Sequence, residues 1–107
     1  KFHVTVTDDA RVDLAEIVAF VRDREGAIRA REVLASLKNA VMGLSFQPSR
    51  GVCPRELSDI GIREFREVFF KPYRVIYRIN GNDVVVRLVS DGCRDLHALL
   101  SRRLLAV

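Results

Sequence analysis

A chain of 107 residues and 12.1 kDa has room for one hydrophobic core, because single domains usually span about 100 to 200 residues. We therefore expect one domain over residues 1–107. Hydrophobic residues make up 49% of the sequence and charged residues 30%, which excludes a disordered polar chain. No apolar run reaches the roughly 18 residues of a membrane span, and the opening residues lack a signal-peptide pattern. We expect a soluble, cytoplasmic protein.

The net charge of +4 lies in the second half of the chain. Residues 1–59 hold 9 Lys+Arg and 9 Asp+Glu, whereas residues 60–107 hold 9 and 5. Arginine supplies 15 of the 18 cationic residues, and a guanidinium can bind a phosphate or carboxylate through two parallel hydrogen bonds. A partner with such groups is one explanation. The mildly basic surface of a soluble protein fits the charge equally well.

The two cysteines, Cys53 and Cys93, are 40 residues apart and lack the spacing of a zinc site. We interpret both as free thiols in a reducing compartment. The sequence predicts no metal ion and no cofactor.

Hydrophobic periodicity predicts the first three elements of the fold. Alternation in FHVTVT predicts a strand over 2–7, and apolar residues at helical spacing predict helices over 9–24 and 27–45. Gly26 separates the two helices. Because their connection is so short, we expect an antiparallel helical hairpin.

The second half predicts a sheet. Residues 46–61 form a loop with at most one helical turn, and three strands follow over 62–70, 72–79 and 83–90. Asn80-Gly81 predicts a type I′ turn before the last strand, and the tail from 93 predicts a short helix. The expected class is α+β, order β-α-α-β-β-β-α, with the helical hairpin packed on a small, mainly antiparallel sheet. We expect one sheet face to be apolar and the other to carry arginines, among them Arg74 and Arg78.

At this point the chain resembles the ParE/RelE superfamily of type II toxin–antitoxin toxins. The resemblance covers nearly the whole length, from TDDARVDLAEI through PSRG, PYRVIYRI and the Asn-Gly turn to GCRD. It implies a small toxin that a cognate antitoxin wraps and neutralises, encoded for instance in a plasmid-stabilisation module. The implied target is DNA gyrase in the ParE branch, or messenger RNA on the ribosome in the RelE branch.

The residues of an RNA-cleaving toxin are only partly present. Arg74 in PYRV and Arg94 in GCRD match recurring arginines of the superfamily, which suit a scissile phosphate. RelE-branch toxins carry lysines on the second sheet strand and a tyrosine in the last helix. Here Phe65, Glu67 and Leu100 stand at those places.

An endoribonuclease would therefore use Arg74, Arg94, Glu67 and His97, with Glu67 as base and His97 as acid. Structural roles compete with each assignment. Glu67 can be a solvated carboxylate that pairs with Arg74 or Arg78. His97 can be a half-exposed helix residue, and the arginines can be clamps on nearby carboxylates such as Asp91.

The long hairpin and the missing proton-transfer residues favour the ParE branch, so the sequence predicts a gyrase poison that binds rather than an enzyme. Ribosome-dependent messenger RNA cleavage and a diverged, non-toxic interaction module are the alternatives. Target contacts are predicted at Arg74, Arg78 and Arg94. The antitoxin is expected over the hairpin and along a sheet edge, contacting Leu14, Val18, Leu34 and Leu37.

Overall fold

The computed structural model describes residues 1–92 and 96–105. The predictions for Cys93 and Arg94 therefore lie outside the described residues. The elements, in chain order, are β1 His3–Val6, α1 Asp8–Glu25, α2 Ala27–Met42, α3 Arg55–Ser58, β2 Phe65–Phe70, β3 Tyr73–Asn80, β4 Asp83–Asp91 and α4 Leu96–Leu100. The predicted α+β order is confirmed. The loop over residues 46–61, which we call the connector, contains a 3₁₀ turn at Pro48–Arg50 as well as α3, so the expectation of at most one helical turn there is wrong. None of the helices in these residues is long and apolar enough to cross a membrane.

The helical hairpin is defined by local signals in the sequence. The Thr7 hydroxyl accepts a hydrogen bond from the Ala10 N–H at 3.2 Å and caps α1. Gly26, with φ 95°, ends α1 and starts α2, a conformation that glycine adopts most readily. The prediction that the second helix extends to residue 45 is wrong by one turn, because the chain tightens into a 3₁₀ turn at Gly43–Ser45.

The four strands form one sheet in the order β1-β4-β3-β2. β1 runs parallel to β4 while the other pairs are antiparallel, so the mainly antiparallel sheet is confirmed. The hairpin turn differs from the prediction: Gly81 has φ 61°, whereas Asn82 has no positive φ. Glycine at the first central position is typical of a type II′ turn, not the expected type I′.

The sheet has an apolar core on both faces. On the face that meets the hairpin, sheet residues such as Val75, Tyr77 and Val86 pack against α2 residues such as Leu37. On the opposite face a second cluster is buried, formed by Leu57, Phe65, Ile76, Leu88, Leu96, Leu99, Leu100 and Leu104. The expectation of an arginine-covered second face is therefore wrong, because α3, α4 and the helical turn Ser101–Leu105 cover its centre.

A β-bulge in β4 explains how an apolar residue of this strand, Leu88, reaches the second face. The register between β3 and β4 shifts between Ile76 and Tyr77, so that Ile76 pairs with Leu88 and Tyr77 with Val86. Arg87 is the extra residue. On a regular strand Val86 and Leu88 would share a face, because they are two residues apart. The bulge breaks this alternation, so that Val86 is buried on the hairpin side of the sheet and Leu88 on the opposite side.

Candidate functional site

The second face of the sheet carries a cleft of about 440 Å³ beside the covered centre. It lies where β2 ends and β3 begins, and the connector helix α3 forms one wall. Its walls contain charged, aromatic and backbone groups: Arg55, Glu56, Asp59, Glu67, Phe69, Lys71, Pro72, Arg74, Gly92 and His97.

Arg74 is held by two carboxylates at the floor of this cleft. Its Nε donates to Glu67 Oε1 at 2.6 Å, and its Nη2 donates to Glu67 Oε2 at 3.0 Å. Its Nη1 and Nη2 donate to the two oxygens of Glu56 at 2.8 and 2.9 Å. The alternation of β2 and β3 places Glu67 next to Arg74 on one face, and α3 brings Glu56 over them.

This cluster, which we call the Arg74 network, is largely shielded from solvent. The exposed fractions of the side chains are 12% for Arg74, 17% for Glu56 and 4% for Glu67. Hydrogen bonds from Arg74 lower the pKa of Glu56 to about 2. Hydrogen bonds to Glu56, with those to Glu67, raise the pKa of Arg74 against the opposing effect of burial. With both carboxylates ionised, the network carries one negative charge more than positive.

The network leaves Arg74 little capacity for a ligand. A guanidinium has five N–H donors, and four hydrogen bonds already run from Arg74 to the two carboxylates. The predicted pairing of Glu67 with Arg74 is confirmed, but Glu67 is buried rather than solvated. The arginine clamp was also expected, yet its second partner, Glu56 in the connector, was missed because no periodicity relates the connector to the sheet.

The other predicted polar residues lie at different places. His97 is exposed on α4 and lines the cleft with Glu67 and Arg74, so three of the four proposed ribonuclease residues come together. Arg78 lies outside the cleft lining, 47% exposed, with its Nη1 at 3.3 Å from Glu64 Oε2. Arg78 is therefore more accessible to solvent than Arg74, which is 12% exposed.

The hairpin residues predicted to bind an antitoxin differ in accessibility. Leu14, Val18 and Leu34 are half-buried, whereas Leu37 is fully buried in the core and offers no surface to a partner. Beside Leu14 lies a groove of about 460 Å³ between the hairpin and strand β1. Its lining is mixed apolar and basic: His3, Val4, Thr5, Val6, Arg11, Leu14, Lys38, Val41 and Met42.

Strand β1 forms the open edge of the sheet next to this groove. The N–H groups of His3 and Thr7 donate to Asn82 and Val86 in and near β4, so alternation turns the backbone groups of Val4 and Val6 outward. The opposite edge is partly covered, because Val52 and Glu67 exchange two backbone hydrogen bonds.

Comparisons with known proteins fit this architecture. Residues 4–96 match the family model described as ParE toxin of the type II toxin–antitoxin system parDE. The chain is 33% identical over 93 residues to Toxin ParE3 of Caulobacter vibrioides, covering 85% of this chain and 87% of that protein.

Two solved structures share the fold. A chain of the chromosomal ParDE TA system from P. aeruginosa superposes with a TM-score of 0.71 at 15% identity, covering 84% of this chain and 95% of that one. A chain of the toxin–antitoxin complex RelBE2 from Mycobacterium tuberculosis gives a TM-score of 0.63 at 24% identity, covering 84% and 90%. The resemblance identified from the sequence is confirmed.

Proposed function

The chain belongs to the ParE toxin family of type II toxin–antitoxin systems, and from this premise we propose that it poisons DNA gyrase by binding. One observation carries the proposal: the Arg74 guanidinium is engaged by Glu56 and Glu67. A nuclease of this fold would need that guanidinium to stabilise charge on a scissile phosphate. A binding poison needs no such group, and therefore tolerates a closed network.

Ribosome-dependent cleavage of messenger RNA is the second candidate, because Arg74, Glu67 and His97 line one cleft. Two measurements separate the candidates: supercoiling by purified gyrase with the toxin present, and codon-dependent cleavage of messenger RNA in a translation extract. We expect inhibited supercoiling and intact messenger RNA. Cleavage without any effect on supercoiling would overturn the proposal in favour of the nuclease.

The variant His97→Gln sharpens this test, since His97 is an exposed residue of α4 that lines the cleft. A gyrase poison should remain fully toxic. For a nuclease, losing a general acid typically lowers the rate about 10²- to 10⁴-fold, so growth arrest should disappear. Arg78→Ala addresses target contact separately: we expect weaker growth arrest with an unchanged melting temperature.

The partner that restrains the toxin is proposed to be a cognate antitoxin that occupies the β1 edge and its groove. An extended segment can add to the outward backbone groups of Val4 and Val6, and its apolar side chains can contact Leu14 and Met42. Arg11 and Lys38 in the same groove favour acidic residues in that segment.

Hydrogen exchange with and without the antitoxin tests this placement. We expect added protection of β1 and of residues 9–45. Unchanged protection in both regions would contradict the proposed surface. The matched variants are Met42→Asp, which places a carboxylate in the groove, and Ile28→Asp, which makes the same change at a residue that does not line it. Only the first should weaken antitoxin binding substantially.

A further inference from the structure

Arg66 binds the first turn of the connector on the hairpin side of the sheet. It lies opposite Tyr77 of β3, which is buried in the core beneath the hairpin. Its Nη1 donates to the carbonyl oxygens of Ser49 at 3.0 Å and Gly51 at 2.8 Å, the residues on either side of Arg50. A guanidinium has five N–H groups, and toward the described residues Arg66 donates through Nη1 alone. The donors of Nε and Nη2 are therefore available to a ligand.

Arg50 adds a second cation at the same turn. It is exposed, and its Nη2 lies against the end of α2, where a Cβ atom at Gly43 would be 3.5 Å from it. Burial raises the pKa of the Tyr77 hydroxyl, whereas its backbone hydrogen bond and the charges of Arg66 and Arg50 oppose that rise, so both cations lie near one hydroxyl. Within residues 1–92 and 96–105, neither guanidinium has an ion pair with a carboxylate.

The backbone at this turn keeps the two arginines together. The Tyr77 hydroxyl donates to the Pro48 carbonyl, and Arg66 binds the carbonyls of the next residues, so Pro48–Arg50 is attached to the sheet at several points. Like charges near each other repel. A carboxylate that accepts hydrogen bonds from both guanidinium groups would relieve this repulsion, at a site that is already ordered before binding.

Exposed apolar side chains continue this surface toward the groove beside β1. Met42 precedes Gly43 and is 60% exposed, and Phe46 is 61% exposed. Lys1 Nζ lies 5.5 Å from the centre of the Phe46 ring. Met42 also lines the groove in which we place the antitoxin. The surface therefore extends that groove past the end of α2.

We propose that this surface binds an acidic stretch of the antitoxin that continues beyond the β1 groove. We call it the arginine patch and define it by Lys1, Met42, Phe46, Arg50 and Arg66. The inference rests on the antitoxin placement proposed above. Three cations beside two exposed apolar side chains fit a segment that carries both carboxylates and apolar residues. Continuity with the groove through Met42 favours a polypeptide over a nucleic acid.

Titrations of the cognate antitoxin with Arg50→Gln and Arg66→Gln test the proposal. Each variant removes one cation, and the loss of a charge-assisted hydrogen bond should weaken antitoxin binding about tenfold. Arg102→Gln is the matched control. It changes the net charge by the same amount at an exposed arginine in the helical turn Ser101–Leu105, which covers the opposite face of the sheet. Because solvent and salt screen this distant charge, its effect should stay under about twofold.

A double-mutant cycle identifies the anion. Each Asp and Glu of the antitoxin is replaced in turn by Asn or Gln and is titrated against the unmodified toxin and against Arg50→Gln. A carboxylate that contacts Arg50 should lose little further affinity when Arg50 is already replaced, since its partner is gone. If every antitoxin carboxylate contributes independently of Arg50, the proposed contact does not exist.

Equal losses for Arg50→Gln and Arg102→Gln would mean general electrostatic attraction and would overturn the proposal, as would unchanged binding by folded Arg50→Gln. Should Arg66→Gln fail to fold for lack of its carbonyl contacts, Arg50→Gln decides alone, because Arg50 donates no hydrogen bond to a described residue. A duplex DNA oligonucleotide is the second probe. If Arg50→Gln weakens DNA binding but not antitoxin binding, the occupant is a nucleic acid and the proposal fails. Hydrogen-exchange protection of β1 by the antitoxin reports on the groove separately, so failure at the arginine patch leaves that placement standing.

Discussion

Two arginines, Arg74 and Arg103, hold the second face of the sheet together in different ways. Arg74 binds two carboxylates, Glu56 and Glu67, with the connector on one side and β2 on the other. Arg103 binds Asp13 of α1 bidentately, at 3.0 Å from both Nη atoms, and also donates to the Arg87 carbonyl. Its Nε lies 3.5 Å from Oδ2 of a second carboxylate, Asp9, which is 74% exposed. Both arginine side chains are well shielded, at 12% and 16% exposed.

The two arginines differ in how buried their carboxylate partners are and in how far along the chain those partners lie. Arg74 joins residues 7 and 18 positions away, and both of its carboxylates are largely buried beside an open cleft. Arg103 joins residues 90 positions apart, and Asp13 additionally accepts the Val89 N–H at 3.0 Å. Arg103 therefore ties the end of the chain to its first helix and to β4. The contacts give both arginines a structural role, and only that of Arg74 lies beside an open cleft.

Arg74→Ala should produce the largest loss of stability. It leaves two carboxylates close together without their cation, one of them 4% exposed, and breaking such a buried pair costs about 3–5 kcal/mol. Denaturant unfolding measures the loss. The expectation that Arg74 lies on an open, arginine-covered sheet face is wrong, because α3 covers it and leaves its side chain 12% exposed.

Arg78→Ala is the control for this change, on the same strand and the same sheet face. Its partner Glu64 is 52% exposed, so the loss should stay under about 1 kcal/mol. Equal losses for the two variants would show that the Arg74 network contributes no more than a surface ion pair.

Arg103→Ala should cost about 2–3 kcal/mol, less than Arg74→Ala. Asp13 keeps its hydrogen bond from Val89, and the second carboxylate near Arg103, that of Asp9, is 74% exposed and remains solvated. Protection of α4 against hydrogen exchange should fall at the same time. A control is Arg102→Ala, the exposed neighbour, which should leave both quantities unchanged.

Sequence reasoning predicted the helices and strands because their signals are local. Periodicity placed α1 within one residue at each end. The Arg74–Glu56 and Arg103–Asp13 contacts depend on how distant segments pack, which no local pattern encodes.

Gly51→Ala should cost about 1–3 kcal/mol by overpacking the connector that leads to Glu56. A methyl group there would collide with Tyr77 Oη and lie 2.9 Å from the Glu67 carbonyl oxygen. Thermal unfolding measures the effect. Gly43→Ala is the matched control, because its nearest neighbour lies at 3.5 Å and its backbone is helical. A neutral Gly51→Ala would mean that the connector shifts freely, and the Arg74 network with it.

The smallest expected effect is a pH dependence of the unfolding free energy that comes from Glu56 in the Arg74 network. Arg74 lowers the pKa of Glu56 from 4.5 to about 2, so the folded state holds this proton less tightly than the unfolded state. The resulting stability is fully present above pH 4.5 and is lost as the pH falls toward 2. Glu56→Gln should therefore cost about 1–2 kcal/mol at pH 7, and the gap to the unmodified protein should close with acidification.

Urea unfolding at several pH values between 7 and 2 measures this gap. Glu64→Gln provides the control, since its partner Arg78 is 47% exposed and solvent screens that pair. A gap for Glu56→Gln that stays constant with pH would mean that its cost is steric. In that case the carboxylate does not stabilise the network through its charge, and the electrostatic contrast between Arg74 and Arg103 would fail with it.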